Sequence, residues 1–122
     1  MKKTLAQIRA ANALKASHIP GMGLGQKGGN AISGFPMLIK TDGLLAACAF
    51  AVETSASGKP KQEGAQLIMN AVATHLASVG ITKATRAQDL VEELALAADS
   101  SQLRRATAEA LAYLNYLKRF VA

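Results

Sequence analysis

The stretch SQLRRATAEALAYLNYLKRFVA, residues 101–122, decides the fold class of this 122-residue chain. Its apolar residues recur at spacings of three and four, the period of an α-helix with one buried side. They are Leu103, Ala106, Ala110, Leu111, Leu114, Leu117 and Val121. Asp99, Ser100 and Ser101 come just before and are typical of a chain break followed by a helix N-cap. The stretch predicts a long amphipathic helix at the end of the chain.

Two further helices are predicted in the first half of the chain. Residues 4–17 form one, with an apolar stripe of Leu5, Ile8, Ala11 and Leu14. Residues 43–55 form the other, with Thr41 or Asp42 as its cap, and Pro36 upstream suits a first helical turn. Because residues 44–52 are apolar nearly all round, we expect this helix to be buried in the centre.

The second half predicts two more helices before the last one. Residues 63–79 form the first, which ends at Gly80 and turns Leu67, Ile68, Ala71, Val72 and Leu76 inward. Thr85 is the expected cap of the next, whose apolar face is Leu90, Val91, Leu94 and Ala98. Residues 55–61 read as a linker. Since no segment alternates with period two, the prediction is an all-α protein of about five helices in one domain, residues 1–122.

The glycine-rich segment GMGLGQKGGN, residues 21–30, allows two interpretations. Gly23, Gly25 and Gly28 spell G-x-G-x-x-G, the pattern of a nucleotide-binding enzyme loop. That pattern requires a preceding β-strand, whereas a helix and Pro20 precede it here. We therefore favour a flexible, basic tether between helices, covering about residues 20–34.

The positive charge lies in one half of the sequence. The formal net charge is +6. Residues 1–61 hold eight Lys and Arg against two acids, whereas residues 62–122 hold six of each. Such a distribution favours a polyanionic partner such as nucleic acid. The alternative is a protein whose basicity has no bearing on its partners.

Cellular location is predicted from what the sequence lacks. Cys48 is the one cysteine, so no intrachain disulfide can form, which fits a reducing compartment. The basic start is interrupted by Gln7, Arg9 and Asn12 and does not read as a signal peptide. No run approaches the roughly 20 apolar residues that span a bilayer. We expect a cytoplasmic protein without a membrane partner.

Candidate catalytic residues are few. His18, His75 and Cys48 stand at no metal-ligand spacing, and Cys48 lies in the most apolar helix, where core packing is its usual role. His75, on a helix flank, reads as a surface histidine or one with satisfied hydrogen bonds. Glu92 and Glu93 would point about 100° apart on a helix and suit a solvated face. The sequence predicts no metal, no cofactor and no enzymatic activity.

The last helix carries two spaced basic pairs. Arg104 and Lys118 are 14 residues apart, which places them about 21 Å apart on one face, and Arg105 and Arg119 repeat the spacing. Charges spread over such a length suit a nucleic-acid backbone. The alternative is that Arg105 pairs with Glu109 one turn away and that the terminal cations complement the helix dipole.

The closing stretch RRATAEALAYLNYLKRFVA, together with GFPMLIKTDGLLAACAF at residues 34–50, resembles a known family. It is similar to the small subunit of the type III-B CRISPR RNA-targeting effector complex, the Cmr complex. The first helix, with Gln7, Arg9 and Ala13, also fits. Together these segments cover about half the chain, and the helices between them fit by pattern.

The resemblance implies a non-catalytic, all-α protein in antiviral defence. It implies partners: copies of the chain stacked as an inner filament, the repeated backbone subunit, and the guide RNA with its target RNA. Positions expected to contact RNA or a neighbouring subunit are Arg9, Lys40, Arg104, Arg105, Lys118 and Arg119. The alternatives are the type III-A small subunit and a helical protein–protein adaptor that does not contact RNA.

Overall fold

The computed structural model describes residues 2–22, 31–54, 56–58 and 63–121. In these ranges it has six helices and no β-strand, so the all-α prediction is confirmed. A sixth helix arises because residues 31–42, expected to be partly loop, form a helix of their own. The helices are α1 (Leu5–Ser17), α2 (Ala31–Asp42), α3 (Leu44–Ala51), α4 (Glu63–Ser78), α5 (Ala87–Ala95) and α6 (Ser101–Phe120).

Helix α6 is the element around which the others pack. It contacts α1, α2, α3 and α4, while α5 packs against α3 and α4. Its predicted stripe is buried at Ala106, Ala110, Leu114 and Leu117. The helix begins where predicted, because Asp99 Oδ1 accepts hydrogen bonds from the Ser101 backbone N–H at 2.9 Å and its hydroxyl at 2.8 Å.

The corner between α2 and α3 is made by Gly43. Its φ of 96° lies in the region that favours glycine, and it is the N-cap of α3 without any side-chain cap. The prediction of Thr41 or Asp42 as the cap is wrong, since α2 continues through both. Pro36 lies inside α2 rather than in its first turn. Of the predicted tether, residues 31–34 are helical and residues 23–30 lie outside the described ranges.

Helix α3 is buried on one side only. Leu44, Ala47, Cys48 and Ala51 are buried, whereas Phe50 is 39% exposed and makes an edge-to-face contact with Phe35. The expected all-round burial is therefore wrong, because α3 ends after two turns and covers the edge of the core. Cys48 packs in the core as predicted, and burial raises the pKa of its thiol to about 12.

Helix α1 buries a different face from the predicted one. Ala13 and Ala16 are buried, while Leu5 and Leu14 are 43% and 47% exposed. The predicted stripe repeats every three residues and so drifts around a helix of 3.6 residues per turn. The inner face instead follows the spacing i, i+3, i+4, i+7 and includes two polar residues, Arg9 and Asn12.

The turn between α4 and α5 is held by side chains of those two helices. Gly80 ends α4 with a φ of 80°, as predicted. Thr85 is not the cap of α5. Asn70 of α4 takes that role, since its Oδ1 accepts the Ala87 N–H at 2.7 Å. Glu93, expected on a solvated face, accepts the backbone N–H groups of Lys83 and Ala84 instead.

Gly34, within α2, and Gly43, at the corner between α2 and α3, predict opposite effects of substitution by alanine. Gly43→Ala should lower the free energy of unfolding by about 1–2 kcal/mol, because a Cβ at positive φ is strained. Gly34→Ala, on the exposed side of α2, should raise it by roughly 0.5–1 kcal/mol through helix propensity. An added Cβ meets nothing within 4 Å at either position, so the backbone alone sets the sign. Urea unfolding of both variants tests this, and equal signs would contradict it.

Candidate nucleic-acid interface

The outer side of α6 carries four exposed cations. We call Arg104, Arg105, Lys118 and Arg119 the basic strip. Successive residues of a helix are 100° apart, so the four fall within an arc of about 140°. Ala108, Ala112 and Asn115 lie between them on the same side. The acid of α6, Glu109, is buried on the flank that faces α1.

The basic strip has the length predicted from its sequence spacing. Fourteen residues of α-helix separate the members of each pair, which gives about 21 Å. None of the four cations forms an ion pair or a side-chain hydrogen bond within the described residues. The Arg105–Glu109 pair considered from the sequence does not form, because the Glu109 carboxylate bonds to other groups. Among the described residues the strip is therefore a line of positive charge without ion pairs.

Lys40 of α2 adjoins the basic strip. A cleft of about 310 Å³ between α2 and α6 is lined by Pro36, Lys40, Leu111, Asn115 and Lys118, among others. Lys40 is exposed, like Lys118. The structure therefore brings a fifth predicted cation to the side of the strip, from a different helix.

Arg104 stands at the opposite end, beside the α2–α3 corner. It lines a second cleft, of about 550 Å³, together with Asp42, Leu44 and Leu111. Most of that lining is apolar, and Asp42 is the acid in it. The two clefts share Leu111 and so run along one flank of α6. The strip is bordered on this flank by apolar surface.

Arg9 occupies a different environment from the other five predicted residues. Its Nε donates to Glu109 Oε2 at 2.7 Å, and its Nη2 donates to Glu109 Oε1 at 2.8 Å. Such a two-pronged contact fixes the guanidinium plane. With its side chain 23% exposed, Arg9 is directed at Glu109 and joins α1 to α6. The structure does not bring it together with the basic strip.

Glu109 is the centre of a buried polar network that joins three helices. His75 of α4 is fully buried and its Nε2 lies 2.9 Å from Glu109 Oε2. Its Nδ1 lies 2.9 Å from the Asn12 side-chain nitrogen. The carboxylate accepts, so the imidazole carries its proton on Nε2 and accepts from Asn12 through Nδ1. The imidazole stacks on the Tyr113 ring at 4.4 Å. Of the two readings that the sequence allowed, a surface histidine is wrong and one with satisfied hydrogen bonds is confirmed.

The network alters the proton affinities of its members. The hydrogen bond from Arg9 holds the pKa of Glu109 below its ordinary value. Burial lowers the pKa of His75, against the opposing influence of Glu109. Burial also raises the pKa of the Tyr113 hydroxyl. The folded protein therefore favours an ionised Glu109 beside a neutral His75.

Sequence reasoning did not identify Asn12 and Glu109 as core residues. A signal was present, because Glu109 lies three residues after Ala106 and four before Tyr113, at the spacing of the buried stripe. Arg9 and Asn12 likewise share the helical face of Ala13 and Ala16. Polar residues at core positions of separate helices indicate partners for one another, since buried polar groups need hydrogen bonds.

The described part of the chain has neither a metal-binding cluster nor a membrane-spanning helix. Within it, no group of three or more His, Cys, Asp or Glu side chains could hold a metal ion. None of its helices has the length and hydropathy that crossing a bilayer requires.

Comparison with known proteins identifies the family. A family model described as CRISPR-associated protein (Cas_Cmr5) matches residues 5–122. The chain therefore belongs to this family of small type III-B CRISPR subunits, which confirms the resemblance noted in the sequence. Family membership implies assembly with other subunits of the Cmr complex. Searches of characterised proteins and of solved structures gave no match.

Removing the carboxylate should destabilise the fold. We expect Glu109→Ala to lower the free energy of unfolding by about 3 kcal/mol, because it leaves Arg9 and His75 without their shared acceptor. Glu92→Ala, which removes an exposed acid of α5, is the matched control and should change it by less than about 0.5 kcal/mol. Equal losses in chemical unfolding of the two variants would show that the network is not a major source of stability.

The network also predicts acid sensitivity. Because the pKa of His75 is lowered from 6.5 in the folded protein, the unfolded chain binds more protons than the folded protein does below that pH. The contribution of His75 to the free energy of unfolding is therefore fully present above about pH 6.5 and is lost as the pH falls. Glu109 adds a further loss of stability below about pH 4.5, because its pKa is also lower in the folded protein than in the unfolded chain. The slope from His75 is at most about 1.4 kcal/mol per pH unit.

Denaturant midpoints between pH 7.5 and 5 measure this slope. His75→Gln should flatten it, because that substitution removes the buried imidazole whose pKa is lowered in the folded protein. A wild-type midpoint that does not change over this range would contradict the assignment of His75 as neutral in the folded state.

Proposed function

We propose that this chain is a non-catalytic small subunit of the type III-B complex that contacts the guide RNA–target RNA duplex through the basic strip. In this role it stacks with copies of itself as an inner filament in the cytoplasm and serves antiviral defence. The observation that carries the proposal is the line of four exposed cations on one side of α6, which form no ion pair with the residues that the structure describes. Membership of the Cmr5 family supports the place of this chain in the type III-B complex.

The geometry of the strip suits a phosphate backbone. Its length of about 21 Å covers several successive phosphates, which lie a few ångströms apart along a strand. A-form RNA hides its base edges in a deep and narrow major groove, so a scaffold contacts the backbone and the shape of the duplex. Arginine and lysine on a rigid helix supply such contacts without sequence preference.

Lys40 and Lys118 extend the proposed contact. Because they line one cleft between α2 and α6, a single phosphate passing along that cleft can be reached from two helices. Arg9 has a different role in this proposal: its charge is matched by Glu109 and it positions α1. We therefore propose five of the six predicted residues for RNA contact and assign Arg9 to the fold.

An adaptor that contacts only protein is the second candidate. It is favoured by exposed apolar side chains, namely Met37, which is 67% exposed, and Leu96, which is 83% exposed. The apolar cleft beside Arg104 would suit a protein partner as well. Because Arg104 lines this cleft, the apolar cleft adjoins the basic strip, so one chain can carry an RNA contact and a protein contact side by side.

Charge removal from the strip tests the RNA contact. We expect Lys118→Ala with Arg119→Ala to weaken target-RNA binding by the reconstituted complex. The slope of log affinity against log salt should become shallower by roughly 0.7–0.9 per lost phosphate contact, since fewer counterions are released. Preference for one sequence over another should stay the same.

The matched control is Lys83→Ala with Arg86→Ala, which removes two exposed cations from the turn before α5. Its slope should equal that of the wild type. Coincident slopes for the strip variant and the wild type, in complexes of intact composition, would overturn the RNA contact. Failure of the strip variant to join the complex would instead favour the adaptor.

A further inference from the structure

A cavity separates α1 from α4 on the side of the molecule away from the basic strip. Its volume is about 380 Å³, within the range of small-molecule sites in proteins. Ala16, Ile19, Leu67 and Ala71 form apolar walls, and His75 and Tyr113 contribute to the lining at its inner end. The cavity exists because α1 approaches α4 through the Asn12–His75 contact and leaves space beyond it.

The polar network determines what Asn12 offers to this cavity. Its side-chain NH₂ group donates to His75 Nδ1 and to Ser78 Oγ, both at 2.9 Å. Both hydrogens are therefore used inside the protein. The orientation is forced, because His75 donates through Nε2 to Glu109 and can only accept at Nδ1. Asn12 Oδ1 is left as an acceptor without a partner in the described part of the chain.

Asn70 also lines the cavity, but in this residue the side-chain oxygen is the atom already in use and the NH₂ group is free among the residues that the structure describes. Its Oδ1 accepts the N–H that begins α5, at 2.7 Å from Ala87 N. Its NH₂ group thus remains as a pair of donors with no protein acceptor among the described residues. Among the lining residues, Asn12 of α1 therefore has an unused acceptor and Asn70 of α4 has unused donors within the described part of the chain.

Lys15 gives the cavity a net positive charge. It lines the cavity, is exposed and forms no ion pair within the described ranges. No Asp or Glu is among the lining residues that the structure describes. A ligand that fits these groups has a planar body, an edge with adjacent donor and acceptor atoms, and an anionic group.

We propose that the cavity between α1 and α4 binds a nucleotide, with the base edge between Asn12 and Asn70 and the phosphate at Lys15. Nucleobase edges present adjacent donors and acceptors, and carboxamide side chains are among their usual partners. The apolar walls would cover the faces of the base. The nucleotide is either a free mononucleotide or one residue of a single RNA strand, since both present the same chemistry.

This site differs from the proposed duplex contact in position and in what it recognises. Binding here requires a base edge and is tested on the isolated chain. It can therefore fail while the duplex contact stands, and the converse also holds.

The test is a ¹⁵N NMR titration of the full chain with adenosine and uridine 5′-monophosphates and, separately, a single-stranded hexanucleotide RNA. We expect shifts of amides along the cavity, at Ala71 and Thr74. Asn70→Asp keeps the acceptor for Ala87 but removes the donors, and should weaken binding about tenfold. Lys15→Ala should weaken it to a similar extent. Lys83→Ala removes the same charge from the turn before α5, outside the cavity lining, and should leave mononucleotide affinity unchanged.

The two sources give separable results. Saturable shifts with mononucleotides identify a free nucleotide as sufficient, whereas shifts with the hexanucleotide alone identify a residue of an RNA strand. Either result supports the site when Asn70→Asp and Lys15→Ala weaken it. The absence of shifts at the cavity with every probe at millimolar concentration would overturn the proposal. Binding that neither substitution weakens would overturn it as well.

Discussion

The two-pronged ion pair between Arg9 and Glu109 is the interaction on which the packing of α1 depends. The inner face of α1 has only the small side chains of Ala13 and Ala16 to bury, so apolar burial holds it weakly. Arg9 and Asn12 supply directional contacts instead, to α6 and to α4. The Glu109 carboxylate and both ring nitrogens of His75 have hydrogen-bond partners, and such networks favour one arrangement over others.

The network also determines which side of α6 remains available. Glu109 faces α1 and is fully used there, so it does not neutralise Arg105 or its neighbours. One helix thus carries two kinds of charge on separate sides: a paired acid inside and unpaired cations outside. This separation allows the small subunit to present a basic surface without weakening its core. The same network fixes Asn12, whose orientation determines the polarity of the cavity between α1 and α4.

Periodicity predicted the elements whose burial depends on apolar spacing. The stripe of α6, the spacing of Arg104 and Lys118, and the end of α4 at Gly80 follow from local sequence alone. Features set by contacts between distant residues were not predicted. The cap of α5 comes from Asn70, 17 residues away from Ala87, so local sequence indicated Thr85 wrongly. The inner face of α1 was missed because its partner, Glu109, lies 100 residues away.

The central claim is that the outer side of α6 meets RNA in the assembled complex. Photo-crosslinking of the complex, reconstituted with target RNA and followed by mass spectrometry of the adducts, tests it most directly. The claim predicts nucleotide adducts on peptides that contain residues 104–119 and on the peptide containing Lys40. RNA adducts on other subunits, together with α6 peptides that are found only in protein–protein crosslinks, would contradict it.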